Sequence, residues 1–248
     1  MKKTNLSAHL IKKSDFLCAK EILKPEIVVQ SGIKELDNLV GGFKTGHITY
    51  IDGDSHLISN IPNQICVNTY HTFQSDTIYI DAGMCADPYK ISQYARKMEL
   101  DHRTVLNHIH ISRAFTVYQL SMLIQEMLEV AIKRYRPQTL IIGRFPIFYL
   151  DSDVKEKEAQ TLLRQNLHKI HNLTEKYNLI TIFTNLDRKM LSTQRGVKKI
   201  LHKDADEVVL MKETELATRV ELLGKKQQAM ILHLAAGQMR LQEFGMVM

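Results

Sequence analysis

The sequence contains no tryptophan, and aromatic residues make up only 7% of it. That argues against an extended aromatic platform for stacking bases. Its three cysteines, Cys18, Cys66 and Cys85, are odd in number and widely spaced. They form neither a disulfide framework nor a zinc pattern, so reduced thiols in a cytoplasmic protein are the expectation. No run of about 18 apolar residues occurs, which excludes an evident membrane-spanning helix. The start, Met1-Lys2-Lys3-Thr4, is basic but leads into no apolar segment of the kind a secretory signal needs. The eleven histidines are scattered. His168 and His171 stand three apart without a matching cysteine or carboxylate cluster, so no metal site is expected. There is no G-x-S-x-G nucleophile elbow, no internal repeat and no low-complexity tract.

What remains is an ordinary globular composition. The chain has 248 residues, 44% hydrophobic and 24% charged. Its net charge of +6 and pI near 9.1 permit nucleic-acid binding without requiring it. Short apolar runs at 48–52, 77–81, 109–112, 139–142 and 180–184 alternate with helical patterns at 62–72, 89–98, 118–135 and 155–177. A shorter helix is read at 31–38, and another at 15–23 with Asp15 as its N-cap. Continuous apolar strands separated by helices predict an α/β fold with a mostly parallel sheet flanked by helices. Strand patterns at 207–212, 218–223, 229–234 and 240–244, with turns at Gly224 and Gly237, predict a C-terminal antiparallel extension.

The first strand runs into Gly53. A phosphate-binding loop at this place would read G-x-x-x-x-G-K-[S/T]: glycines let backbone N–H groups approach phosphate, and the Lys meets its charge. Here the octet is Gly53-Asp54-Ser55-His56-Leu57-Ile58-Ser59-Asn60. Only Gly53 survives. Ile58 stands at the second glycine, and Ser59 and Asn60 at the Lys and hydroxyl positions. No G-K-[S/T] occurs anywhere in the chain. Pro62 falls in the first turn of the following helix, where its missing N–H is tolerated but where a phosphate would otherwise find a donor. A closed, packed turn is the expectation.

Several blocks together carry a family resemblance. Ser31-Gly32-Ile33-Lys34-Glu35-Leu36-Asp37, Gly41-Gly42, Thr45-Gly46-His47-Ile48-Thr49, Tyr79-Ile80-Asp81, Ser112-Arg113-Ala114-Phe115 and Thr184-Asn185 fall in the order found in RadA and related RecA-fold recombinases. The first block is shared with KaiC-like proteins. The chain resembles a core-only paralogue, with residues 1–30 as a linker and 31–248 as a RecA-like core. The resemblance implies three further losses. Gly143 stands for the metal-associated carboxylate, Gly83 for the water-activating Glu, and Leu186 for the Gln that senses the γ-phosphate. Four parts of a phosphoryl-transfer apparatus are thus replaced, so no catalytic activity and no cofactor are expected, with weak ATP binding left open.

The resemblance also implies what is kept. Phe16-Leu17-Cys18-Ala19 matches the F-x-x-A motif through which such recombinases join protomers, Phe16 and Ala19 filling pockets on a neighbouring core. The receiving strand carries His110, whose bulk would obstruct a second copy of Phe16, and the helix after it carries Glu126 and Glu129. After Thr184-Asn185, Arg188, Lys189, Arg195, Lys198, Lys199 and Lys203 form a basic loop expected to contact DNA phosphates without reading sequence. The acidic stretch with Asp151, Asp153, Glu156 and Glu158 is a poor phosphate surface. The resulting expectation is a non-catalytic paralogue that assists a RadA-type recombinase in recombinational repair, as an oligomer or hetero-oligomer, with single-stranded DNA as a second partner. The alternatives are a KaiC-like scaffold or assembly subunit unrelated to DNA, and a residual ATPase.

Overall fold

A computed structural model describes residues 27–186, 195–225 and 227–232. The described chain opens with a two-stranded antiparallel ribbon, β1 (Val28–Val29) with β2 (Phe43–Lys44), around helix α1 (Lys34–Val40). Among the described residues the main sheet has eight strands. In chain order they are β3 (His47–Gly53), β4 (Thr77–Asp81), β5 (Ile109–Arg113), β6 (Thr139–Gly143), β7 (Ile180–Leu186), β8 (Glu207–Glu213), β9 (Ala217–Leu222) and β10 (Gln227–Leu232). Their spatial order is β10-β9-β8-β3-β7-β6-β4-β5. Every pairing from β8 to β5 is parallel, and β8-β9 and β9-β10 are antiparallel. The antiparallel extension therefore begins one strand later than the 207–212 pattern implied. β8 reaches the sheet through a helical crossover, which delivers a parallel strand.

The helices are α2 (Ile61–Phe73), α3 (Pro88–Lys97), α4 (His102–Asn107), α5 (Val117–Met122), α6 (Leu128–Tyr135), α7 (Glu156–Tyr177) and α8 (Arg195–Asp204). Local chemistry starts several of them. Asp87, Asp101 and Thr116 accept hydrogen bonds from first-turn N–H groups of α3, α4 and α5, the usual work of an N-cap. A π-helical turn, Leu123–Met127, joins α5 to α6 without a break, so the helix expected over 118–135 is present with one π-bulge in it.

Alternation along the strands builds two cores, one on each face of the sheet. Leu140 and Ile142 face a cluster with Leu120, Ile124, Leu163, Leu167, Val197 and Leu201, from α5 to α8. Ile141 faces the opposite cluster with Leu36, Ile61, Ile65, Ile91 and Val105, from α1 to α4. Strands apolar on both faces follow from this double cover. The Asp206 carboxylate accepts the Ile48 N–H at 2.8 Å and fixes the start of β3. Among the described residues no helix is long and apolar enough to cross a membrane. The expected elements at 15–23 and 240–244 lie outside the described residues.

Candidate functional site at the carboxyl edge of the sheet

Ligands of open parallel sheets bind outside the carboxyl ends of the strands. At that edge the turn after β3 is closed on itself. His56–Ser59 forms a 3-10 helix, and the Ser55 hydroxyl caps it by accepting the Leu57 N–H. Three further N–H groups at and beside this 3-10 turn, and that of His56, are also directed inward. Asp54 N–H donates to Met211 O at 3.1 Å, Ile58 N–H to Ser55 O at 3.1 Å and Asn60 N–H to Leu57 O at 2.9 Å. His56 N–H donates to Glu213 Oε2 at 3.2 Å, and the His56 ring lies 2.7 Å from Glu213 Oε1. The Asp54 carboxylate accepts the Glu213 N–H at 2.7 Å, and the Ser55 and Thr218 hydroxyls meet at 2.8 Å. Ile58 is 1% exposed. A phosphate cradle needs those donors free; here Met211 and Glu213 of β8 and the turn's own Ser55 and Leu57 hold them.

Gly53 has a specific reason to be glycine. Its φ is +151°, and a Cβ there would fall 1.9 Å from the Met211 carbonyl oxygen. Asn60 heads α2 without capping it. Its Oδ1 instead accepts from Lys90 Nζ at 2.9 Å. Lys90 thus brings a cation from α3 to the start of α2, where no local sequence motif announces it.

Gly83 and Gly143, which the resemblance sets against two carboxylates, are both closely overlain by neighbouring side chains. A Cβ on Gly83 would meet Arg144 Cδ at 2.1 Å, and a Cβ on Gly143 would meet the Tyr79 ring at 2.9 Å. Arg144 adopts a left-handed backbone with φ +51°. Its N–H donates to the Thr184 hydroxyl at 3.1 Å, and its Nη2 donates to the carbonyl of Leu186 at 3.4 Å. Burial pushes the Tyr79 hydroxyl well above its ordinary pKa. The buried Asp81 carboxylate accepts N–H bonds from Gly83, Cys85 and Ala86 and lies 3.5 Å from Arg113 Nε. It organises its own loop.

A second polar cluster lies beside the turn. Asp52, fully buried at the end of β3, accepts from Asn185 Nδ2 at 2.9 Å. Lys198 Nζ stands 3.0 Å and His202 Nε2 3.2 Å from its other oxygen. Burial alone would raise this carboxyl. His202, Asn185 and Lys198 more than offset that and hold it below its ordinary value.

This changes the reading of the basic segment. Residues 195–204 are helix α8, not loop, because Val197 and Leu201 lie four apart and bury against the sheet. Lys198, expected at DNA phosphates, turns inward to Asp52 instead. Lys199 and Lys203 are exposed. Arg195 opens α8. Arg188 and Lys189 lie outside the described residues, as do Phe16 and Ala19. On β5 the His110 ring is pinned, 2.7 Å from Asp76 Oδ2 and stacked on Tyr135 at 3.6 Å between centroids. Glu129 on α6 is engaged by Lys169, Lys176 and Tyr177, which keep its carboxyl well below the usual range with Lys176 foremost. Glu126 is exposed. Among the described residues no cluster of His, Cys, Asp and Glu could hold a metal ion.

A mostly parallel sheet with β3 between β7 and β8, and a strand-turn-helix at its carboxyl edge, defines a RecA-like α/β domain. The chain belongs to the Rad51 family, whose model matches residues 23–223. It is similar to the meiotic recombination protein DMC1 of Saccharomyces cerevisiae, 27% identical over 167 residues, 63% of this chain and 50% of that protein. It is also similar to a DNA repair protein RAD51 homolog of Solanum lycopersicum, 24% identical over 168 residues, 64% of this chain and 49% of that one. The chain spans about half the length of the curated relatives it matches.

Proposed function

We propose that this chain is a non-catalytic member of the Rad51 family that assists a RadA-type recombinase in homologous recombination and DNA repair. It docks through Phe16 and Ala19 and touches single-stranded DNA weakly. The observation that carries the reading is the closed turn after β3. Its N–H groups donate to Met211, Glu213, Ser55 and Leu57, so a triphosphate would have to break bonds within the protein to be held. Phosphoryl transfer depends almost wholly on positioning and electrostatic stabilisation. With Arg144 over Gly83 and the Tyr79 ring over Gly143, neither a base nor a metal-associated carboxylate stands where the reaction needs one. The pinned His110 on β5 supports a chain that donates its own anchor and resists receiving another.

The test has two arms. ATP turnover is measured with and without single-stranded DNA, and no hydrolysis above background is expected. Co-purification with a RadA-type recombinase is then compared for the parent chain and Phe16→Ala, where loss of the complex is expected. Hydrolysis abolished by a point change in the Gly53 turn would overturn the non-catalytic reading. Recombinase binding that ignores Phe16 would overturn the docking.

A further inference from the structure

Helix α8 sorts its cations by face. Lys198 and His202, four apart, turn to Asp52. Lys199 and Lys203, also four apart but one residue on, line a groove between α7 and α8 with a volume of about 610 Å³. The α7 wall supplies Arg164 and His168, and the half-buried Ile200 gives the groove apolar surface above Leu167, which is buried at its floor. Arg164, Lys199 and Lys203 are exposed, and among the described residues none of them has an ion-pair partner. The one carboxylate of the lining, Asp204, is already bound to His171 at 2.8 Å. The groove is therefore strongly cationic, two-sided and partly greasy.

We infer that the α7–α8 groove docks a short acidic segment of a partner protein, with one apolar side chain set on Ile200 and flanking carboxylates meeting Arg164, Lys199 and Lys203. Three features select this occupant. Charge complementarity demands an anion. The apolar surface rewards a hydrophobic anchor, as helix-in-groove recognition does. No Phe, Tyr or Trp lines the groove, so a nucleic acid would gain phosphate contacts but none of the large aromatic platforms on which single strands stack. The inference does not depend on whether the turn after β3 binds nucleotide.

The experiment uses the full chain and fluorescence anisotropy. The probe is a labelled Glu-Glu-Leu-Glu-Glu peptide, compared with Glu-Glu-Ser-Glu-Glu and with labelled oligothymidine. The leucine peptide is expected to bind more tightly than the serine peptide, and to weaken by about tenfold or more in Lys199→Glu/Lys203→Glu, as loss of complementary charges predicts. Lys199→Arg/Lys203→Arg, which keeps the charge, is expected to retain the binding. Equal affinity for the serine peptide would reduce the groove to a diffuse charge and overturn the inference. So would oligothymidine binding more tightly and being lost in the same variant, or charge reversal that leaves peptide affinity unchanged in a folded protein.

Discussion

Replacing Lys198 with Ala separates a structural role from a DNA role. Lys198 sits in a run of cations after β7, and by position it belongs with the phosphate contacts. Its ammonium is instead 3.0 Å from Asp52, whose side chain is 1% exposed. A hydrogen bond to a fully desolvated charge contributes about 1.5–3 kcal/mol, whereas an exposed ion pair contributes about 0–1 kcal/mol. The Lys198 side chain is 41% exposed, so water replaces it in part, and His202 and Asn185 stay behind to hold the carboxylate. An intermediate cost of about 1–2 kcal/mol follows. For a chain of this size that lowers Tm by roughly 2–8 °C. Urea denaturation of Lys198→Ala, Asp52→Ala and the double variant closes the cycle, with a coupling of about 1 kcal/mol expected between the two sites. In parallel, single-stranded DNA affinity is measured against salt. A residue that merely contacts a phosphate reduces the salt slope by about 1 and leaves stability alone. That outcome for Lys198→Ala would refute its inward role; an unchanged slope with a lost Tm is the expected one.

Two further outcomes test the fold around the site. Gly53→Ala is expected to cost roughly 2–4 kcal/mol, because its Cβ would meet the Met211 carbonyl at 1.9 Å, while Gly41→Ala, also left-handed but with nothing within 4 Å, is expected to cost only about 1 kcal/mol. Equal losses by urea denaturation would show that close approach of β8 is not what requires Gly53. His171 is expected to make stability depend on pH. Its hydrogen bond with Asp204 raises its pKa above the ordinary 6.5, so the folded state binds the proton more tightly than the unfolded chain does. The contribution is full below 6.5 and is lost as pH rises through the higher folded value. Denaturation midpoints near neutrality and above should therefore fall more steeply for the parent than for His171→Asn; identical slopes would remove His171 from the account.

The sheet was legible in the sequence because its central strands are apolar on both faces. Leu140 and Ile142 look one way and Ile141 the other, and the resulting unbroken runs mark parallel strands whatever lies around them. Helix α4 was missed because its signal is the single cap Asp101 and one buried residue, Val105, too little periodicity to register. Helix α8 was missed for a different reason. Its apolar pair, Val197 and Leu201, is diluted by six basic or acidic neighbours, so charge hid the helical spacing. The departures from the family motifs at Ser59, Asn60, Gly83, Gly143 and Leu186 were readable in the sequence, since each falls at a motif position, with Gly53 the one motif residue of the turn retained. What replaces them was not. Arg144 reaches Gly83 across the sheet edge, Lys90 reaches Asn60 from another helix, and Glu213 reaches His56 from a strand 157 positions away. Motif spacing records which atoms a ligand has lost. It carries no record of which atoms have moved in, because those come from strands that only the folded sheet brings together. The turn after β3 therefore has to be judged by where its N–H groups point, and they point at the protein's own oxygens. A degenerate motif with free donors could regain a ligand by a few substitutions. The turn here would also have to release Met211 and Glu213 of β8, so placing Lys and Thr at positions 59 and 60 alone is expected to leave it closed.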